Sequence, residues 1–172
     1  HDREKVEAFL EELMGAGALE DGALAQDESQ ARAFWRLREG VNEALGRAGY
    51  VYKYDLSMPV SCMYGLVEEM RGRLAGEEAL VVGYGHVGDG NLHLNISSPA
   101  YSEELLGAIE PFVYEWTSER GGSVSAEHGL GAMKAACIGY TKGPVAVDLM
   151  RRMKQTLDPH GILNPYKVLP PG

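Results

Sequence analysis

The chain has 172 residues and a formal net charge of −9, which is enough for one domain with a real core or for two small lobes. The acidic balance argues against nucleic acid or an acidic membrane surface as a partner. No apolar run in the sequence approaches the roughly 20 residues of a membrane-spanning helix. Cys62 and Cys137 lack a CxxC spacing, so neither a disulfide framework nor a zinc ribbon is predicted.

Hydrophobic periodicity predicts interleaved helices and strands in the first half of the chain. We expect helices over 2–14, from Asp27 or Ser29 to about 47, and over 59–74. Aromatic and β-branched residues over 50–56 indicate a strand. The inner face of the second helix is expected to consist of its periodic apolar residues, Phe34, Leu37, Val41, Leu45 and Ala48.

The second half of the chain continues the alternation. A hairpin is expected over 79–97, followed by a helix over 102–121 that Pro111 should kink or divide. A fourth strand is predicted in the glycine-flanked cluster 122–131, before a short helix over 132–138 and a longer one over 144–157. This order predicts an α+β fold, in which helices pack on one face of an antiparallel sheet and a C-terminal helical segment and extended tail follow.

The hairpin carries two histidines around an Asp89-Gly90 turn. A type I′ turn there, which needs positive φ at both residues, would set His86 directly opposite His93. Opposed residues share a sheet face, with Cβ atoms roughly 4.5–5.5 Å apart, so the two imidazoles could bind one metal ion. The other face of the strand is expected to be buried through Leu92, Leu94 and Ile96. The alternative is that both histidines are polar residues on a solvated face.

A second polar cluster supplies the remaining chemistry. Glu127 lies in a glycine-rich turn and is the natural third ligand beside His86 and His93. Two imidazoles and one carboxylate leave an open position on a divalent ion, which is typical of catalytic zinc, and nothing in the pattern requires redox chemistry at the metal. That position suits a substrate that chelates through a hydroxyl and a carboxylate. His128 is predicted to be the base that takes the hydroxyl proton.

Two basic residues are candidates for binding substrate carboxylates. Arg38 lies one helical turn from Asn42 on the apolar face of the second helix, and Lys53 lies in the first strand. If both cations point inward, they favour a dicarboxylate or 2-hydroxy-acid substrate. The structural alternatives are an arginine that extends to the edge of the core and a lysine that is solvated or paired with Asp55.

Four motifs in this order resemble the FAD-linked oxidases of the vanillyl-alcohol oxidase class, in particular the members that oxidise D-2-hydroxyglutarate. The resemblance extends over about 31–170. Relatives that act on D-lactate or glycolate share the metal and flavin motifs, whereas the first and last motifs favour D-2-hydroxyglutarate. The motifs are 52–57 (YKYDLS), 85–95 (GHVGDGNLHLN), 125–131 (SAEHGLG) and 157–167 (LDPHGILNPYK).

The resemblance implies roles for the metal ligands and the base. His86, His93 and Glu127 would bind Zn²⁺, or alternatively Mn²⁺ or another divalent ion. His128 would deprotonate the metal-bound hydroxyl of the substrate. A hydride would pass from C2 to the flavin, and D-2-hydroxyglutarate would become 2-oxoglutarate.

The resemblance also implies which residues contact the substrate and the cofactor. Arg38 and Lys53 would hold the substrate carboxylates, with Asn42 beside them at a position where some mammalian members have threonine. Asn95 would lie near the flavin or the substrate. Asn164 and Lys167 would lie in a tail that returns to the flavin.

FAD itself would be bound mainly by an N-terminal domain outside this chain. The chain begins without a methionine or a targeting segment, so we expect it to be part of a longer protein and inactive alone. Residues 1–130 would form a truncated substrate-binding domain, and 131–172 a helical segment that returns to the FAD domain. The implied partner is an electron acceptor such as an electron-transfer flavoprotein, in the mitochondrial matrix of a eukaryote or the cytoplasm of a bacterium.

Two other classes of function stay open. A zinc hydrolase would use the same ligands to generate hydroxide without a flavin, although the sequence has no HExxH helix. A non-catalytic zinc-binding module would use the hairpin histidines only to stabilise the fold. Removing the metal would then lower the melting temperature without affecting flavin reduction.

Overall fold

The computed structural model describes residues 1–170; Pro171 and Gly172, which end the predicted C-terminal segment, lie outside the described residues. The chain divides into two compact units, one covering 1–44 and the other beginning at Leu45. Within 1–170, none of the helices combines the length and the apolar character that a bilayer crossing demands.

The first unit consists of helix α1 (Asp2–Gly15) and most of helix α2 (Glu28–Ala48). Asp27 is the predicted cap that the structure uses, because its Oδ1 accepts the backbone N–H of Gln30 at 2.9 Å. The predicted inner face of α2 is only partly buried. Leu45, which belongs to the second unit, is buried, whereas Phe34 and Leu37 are exposed.

The second unit is built on a three-stranded antiparallel sheet of β1 (Tyr50–Ser57), β2 (Leu80–His86) and β3 (Asn91–Ser98), in the order β1-β3-β2. Successive side chains of a strand point to opposite faces, so each strand contributes to an apolar and a polar face. The apolar face is buried, as predicted for β3; it comprises Tyr52, Tyr54, Leu56, Val81, Leu92, Leu94 and Ile96.

Three helices cover the apolar face and confirm the α+β prediction. They are α3 (Val60–Arg73), α4 (Glu103–Ile109) and α5 (Phe112–Glu119). Pro111 divides the predicted 102–121 helix into α4 and α5, as expected for a residue without an amide N–H. The helices and the sheet share one hydrophobic core, to which the helices contribute Leu66, Val67, Met70, Leu105, Ile109, Val113, Tyr114 and Trp116.

The hairpin turn differs from the predicted type I′ turn. A 3₁₀ turn covers Val87–Asp89, and within the loop only Gly90 has positive φ, at 74°. The Met58 N–H donates to the Gly90 carbonyl at 3.0 Å, and a Cβ at Gly90 would lie 2.4 Å from the Met58 carbonyl oxygen. Because this contact joins residues far apart in the chain, it holds the connection as a loop longer than the predicted two-residue turn. The pairing is shifted by two residues, so Tyr84 lies opposite His93.

Two further predictions in the second half are wrong. The cluster 122–131 forms a single bridge between Ser57 and Ser123 in place of a fourth strand. Ser123 instead turns the chain, because its hydroxyl donates to the Ser125 carbonyl at 2.9 Å. The predicted short helix over 132–138 is a 3₁₀ helix at Ala135–Tyr140.

The C-terminal region consists of helix α6 (Pro144–Leu157), which matches its prediction, and an irregular tail. Asp158 organises the start of this tail, since its carboxylate accepts the backbone N–H groups of Ile162 at 3.0 Å and Leu163 at 2.9 Å. The Lys154 ammonium also donates to this carboxylate. Further along, the Val168 N–H donates to the Gly131 carbonyl at 2.7 Å.

We expect Asp158→Asn to loosen the tail at neutral pH. The hydrogen bond from Lys154, together with the two backbone N–H donors, holds the pKa of Asp158 below its ordinary value. Its stabilising contribution is therefore present above the unfolded pKa of about 3.9 and is lost as pH falls through the lower folded value. Hydrogen exchange at Ile162 and Leu163 should be faster in the variant at pH 7, and the difference from wild type should disappear as pH falls through the folded pKa of Asp158. Equal exchange at pH 7 would contradict the prediction.

A candidate metal and active site

The polar face of the sheet carries most of the predicted site. On central strand β3, His93 pairs with Asp55 of β1 and with Tyr84 of β2. Two positions along β3, Asn95 pairs with Lys53. Because side chains alternate along a strand, these groups project to one face, opposite the helix-covered core.

His86 and His93 are neighbours although they are not directly opposed. The two-residue shift in pairing preserves which face each residue points to, so His86 becomes a diagonal neighbour of His93, within reach for long or aromatic side chains. Their rings meet edge to face, with centroids 5.4 Å apart and an interplanar angle of 84°. The predicted opposition is therefore wrong, and the predicted shared face is right.

Glu127 lies between the two histidines. Its Oε1 is 3.8 Å from His86 Nε2, and its Oε2 is 3.8 Å from His93 Nε2. Two metal–ligand bonds of about 2.0–2.1 Å can span at most about 4.2 Å. Each histidine–carboxylate pair thus lies at a separation that one ion could bridge, and the donor set of imidazole nitrogen and carboxylate oxygen fits a divalent metal.

A buried carboxylate, Asp55, lies behind these groups with 4% of its surface exposed. Its Oδ2 accepts the backbone N–H groups of Glu127 at 2.7 Å and His128 at 2.8 Å. Burial raises the pKa of Asp55, but these two hydrogen bonds and the nearby histidines outweigh it and leave the pKa below its ordinary value. Asp55 is therefore ionised at neutral pH.

His93 is suited to act as a ligand in its neutral form. Burial, together with the neighbouring His128 and His86, lowers the pKa of His93 and outweighs the opposing effect of the Asp55 and Glu127 carboxylates. A metal requires a neutral imidazole with a free lone pair. Ligand atoms of Asp55, His93, Glu127 and His128 all lie within 4.8 Å of one another, and His86 adjoins this group through Glu127.

His128 stands at the exposed side of the cluster. Its side chain is 69% exposed, and its ring stacks on His93 with centroids 5.7 Å apart and an interplanar angle of 11°. His128 Nδ1 is 3.8 Å from Asp55 Oδ2. The residue is thus next to the ligands while its imidazole stays accessible to a small molecule.

The predicted substrate residues are found in two places. Lys53 is exposed on the polar face of the sheet, and Asn95, which is buried on that face, donates from Nδ2 to the Tyr84 hydroxyl at 2.9 Å. Arg38 and Asn42 belong to the first unit, one turn apart on α2. The substrate roles of all four residues stay predictions.

The predicted cofactor residues of the tail lie together. Lys167 Nζ donates to Asn164 Oδ1 at 2.5 Å, and both residues line a cavity of about 760 Å³ between α6 and the tail. The hydrogen bond from Val168 to Gly131 ties this tail to the residue three positions after His128. A cofactor role for Asn164, Lys167 and Asn95 stays a prediction.

Sequence reasoning missed the contribution of Asp55. The alternation in the first strand places Asp55 on one face with Lys53, which is correct. Its burial and its contacts with His93 and with the 127–128 backbone depend on the pairing of β1 with β3. The available signal is an acidic residue within a strand that consists mostly of aromatic and apolar residues.

Comparison with known proteins gives a consistent result. A D-2-hydroxyglutarate dehydrogenase of Arabidopsis thaliana is 62% identical over 170 residues, and one of Bos taurus is 57% identical; both are named as mitochondrial. A protein of Schizosaccharomyces pombe named as a putative mitochondrial D-lactate dehydrogenase is 46% identical. These alignments cover 97–99% of this chain but only 30–34% of the relatives, so the chain spans roughly a third of their length.

The match to a family model covers nearly the whole chain. The model describes the C-terminal domain of FAD linked oxidases, and it matches residues 1–168. It therefore includes the polar sheet face, the 127–128 loop and most of the tail. The chain belongs to the FAD-linked oxidases, as their C-terminal domain.

Proposed function

We propose that this chain is the substrate- and metal-binding portion of an FAD-dependent dehydrogenase that oxidises D-2-hydroxyglutarate to 2-oxoglutarate. The observation that carries the proposal is the convergence of His86, His93 and Glu127 beside the accessible imidazole of His128, in a domain of the FAD-linked oxidases. The relatives named as D-2-hydroxyglutarate dehydrogenases support the substrate.

In this proposal the metal is Zn²⁺, with Mn²⁺ or another divalent ion as the alternative. His86, His93 and Glu127 hold it, and three protein ligands leave a coordination position for the substrate. When bound, the ion would polarise the substrate hydroxyl and FAD would accept the hydride from C2.

The chain's own residues bind and deprotonate the substrate. His128 takes the hydroxyl proton at its exposed ring, which is adjacent to the ligands. Lys53 and Asn95 lie along the same sheet face; Lys53 binds a substrate carboxylate, and Asn95 lies near the substrate or the flavin. For Arg38 we likewise propose a role in binding a substrate carboxylate, and for Asn42 a role in binding the substrate.

FAD is bound mainly by a domain outside this chain, and 131–172 returns to that domain from the substrate-binding domain, 1–130. Helix α6 supports this because one of its faces exposes apolar residues four positions apart, a pattern expected of a surface that another domain covers. Asn164 and Lys167 lie in the adjoining tail and contact the cofactor, with Asn95 on the sheet. The exposed residues of α6 are Val145, Leu149, Met153 and Leu157.

The remaining parts of the proposal concern the setting of the enzyme. The partner is an electron acceptor such as an electron-transfer flavoprotein. The location is the mitochondrial matrix in a eukaryote, which the names of the relatives support, and the cytoplasm in a bacterium.

Loss of a histidine ligand should remove the metal. We expect the full-length flavoprotein to contain about one equivalent of divalent metal, and His86→Ala and His93→Ala each to lose most of it. His160→Ala, which removes an exposed histidine of the tail, is the matched control and should retain wild-type content. Elemental analysis gives both the amount and the identity of the ion. Wild-type protein that holds no divalent metal after incubation with Zn²⁺ would overturn the proposal.

A second candidate substrate is D-lactate, because the Schizosaccharomyces pombe relative is named for it; glycolate is the third.

D-2-hydroxyglutarate has a second carboxylate that D-lactate and glycolate lack. A site that uses Lys53 for that group should lose kcat/KM for D-2-hydroxyglutarate in Lys53→Met, with little change for D-lactate. Wild-type flavin reduction by each acid, measured under anaerobic conditions, ranks the three substrates.

A further inference from the structure

We propose that Asp55 is a positioning residue, whose single carboxylate sets the ring orientation of the ligand His93 and holds the backbone that carries Glu127 and His128. This inference rests on the proposed function, because it assigns Asp55 a role toward the metal ligands and the base. It goes beyond that function in naming what fixes their mutual geometry.

The first observation concerns the loop that carries ligand and base. Three consecutive N–H groups donate to Asp55: that of Ala126 to its backbone carbonyl at 3.1 Å, and those of Glu127 and His128 to Oδ2 at 2.7 and 2.8 Å. Residues 126–128 lie outside any helix or strand. Hydrogen bonds to an ionised acceptor are roughly twice as strong as neutral ones, so Asp55 is the main local constraint on this segment.

The second observation concerns the other carboxylate oxygen. Asp55 Oδ1 is buried and makes no hydrogen bond among the described residues. Its neighbour is His93 Nδ1 at 3.5 Å, across the β1–β3 pairing. A buried acceptor without a donor is costly, and a proton on Nδ1 of His93 would satisfy it after a small adjustment of the ring.

The tautomer decides which nitrogen of His93 can bind a metal. With the proton on Nδ1, the lone pair is on Nε2, which is the nitrogen that faces Glu127 Oε2 at 3.8 Å. A ligand histidine commonly donates its other N–H to a carboxylate, which orients the ring and increases its basicity. The line from Asp55 through His93 to Glu127 has this arrangement.

The same geometry argues against Asp55 as a ligand, although its oxygens lie within 4.8 Å of the other candidates. The two nitrogens of an imidazole point away from each other, so an ion on His93 Nε2 lies on the far side of the ring from Asp55. Oδ2 is already occupied by two backbone donors. Asp55 therefore acts through His93 and through the 127–128 backbone.

The test uses the full-length flavoprotein with Asp55→Asn, which keeps the size of the side chain and one acceptor oxygen. If that oxygen serves the two backbone N–H groups, the amide NH₂ faces His93 Nδ1 and favours the proton on Nε2, where it blocks the metal. We expect the Kd for Zn²⁺, measured by chelator competition without substrate, to rise about 10- to 100-fold. Asp158→Asn is the matched control, since Asp158 is also a buried aspartate that binds two backbone N–H groups; its Kd should equal that of wild type.

A second measurement does not depend on how the variant folds. Nitrogen NMR of metal-free wild-type protein, labelled with ¹⁵N at histidine, should find His93 protonated on Nδ1. A proton on Nε2, or an Asp55→Asn protein whose Kd stays within about threefold of wild type while His93→Ala still loses metal, overturns the role of Asp55 and leaves the proposed function standing. Wild-type protein that binds no Zn²⁺ overturns the proposed function, and the inference with it.

Discussion

Replacing His128 with alanine is expected to lower kcat for D-2-hydroxyglutarate by about 10²- to 10⁴-fold, the range that a positioned general base contributes. The imidazole is the accessible group beside the ligand cluster, stacked on His93. No other described imidazole is as exposed and also stacked on a ligand. Because Glu127, His86 and His93 are untouched, bound metal should stay at its wild-type content. Rapid-mixing measurements of flavin reduction report the step directly.

Chemical rescue separates loss of the base from loss of structure. His128 is 69% exposed, so its removal leaves a space open to solvent that free imidazole can enter. Added imidazole should raise the rate of flavin reduction in His128→Ala in proportion to its neutral form, and it should not affect wild type. His160→Ala should keep wild-type rates without imidazole. Flavin reduction in His128→Ala within threefold of wild type would remove His128 from the role of base.

The face to which each side chain of β3 points was easier to predict than the residue with which it pairs. Alternation along β3 correctly places Leu92, Leu94 and Ile96 in the core and His93 on the other side. The predicted register was wrong by two residues because Gly90 is fixed by Met58, a contact that no local turn rule contains. A shift of two preserves the face, which is why the metal hypothesis survives the error.

For the loop that carries Glu127, the local sequence did not predict the path of the backbone. The strand predicted for 122–131 is wrong, and the glycines and serines of this segment favour turns instead. The structure forms one bridge at Ser123 and then directs the N–H groups of Ala126, Glu127 and His128 to Asp55. That path depends on a buried carboxylate about 70 residues earlier in the chain, so it could not be read from the segment itself.

A buried hydrogen-bond network on the apolar side of the sheet predicts the largest effect on stability. Glu110 Oε1 accepts the hydroxyls of Tyr54 at 2.8 Å and Tyr114 at 2.9 Å. Both rings are almost fully buried. Lys134 Nζ lies 5.1 Å from the centre of the Tyr54 ring and donates to the Lys53 carbonyl at 3.3 Å. The network joins β1, the α4–α5 junction and the chain that follows the site.

We expect Glu110→Leu to lower the free energy of unfolding by about 2–4 kcal/mol, because two buried hydroxyls lose a charged acceptor and each unsatisfied group costs about 1–3 kcal/mol. Glu110→Gln keeps an acceptor oxygen and should lose about half as much. Urea denaturation of the purified protein measures both. In a double-mutant cycle, adding Tyr54→Phe to Glu110→Leu should restore part of the loss, since it removes one orphaned hydroxyl. Strict additivity would mean that the two groups do not interact.

The same network affects how the free energy of unfolding changes at alkaline pH. Burial, and then the charge of Glu110, raise the pKa values of Tyr54 and Tyr114 above their ordinary range. A folded pKa above the unfolded one gives stability that is complete below about pH 10 and decreases as pH rises further, because only the unfolded chain then releases the protons. In Glu110→Leu, burial, which is the larger cause, still holds both folded pKa values above those of the unfolded chain, so the alkaline decrease in stability should persist. A Glu110→Leu protein whose free energy of unfolding does not fall above about pH 10 would contradict burial as the main cause of the raised pKa values.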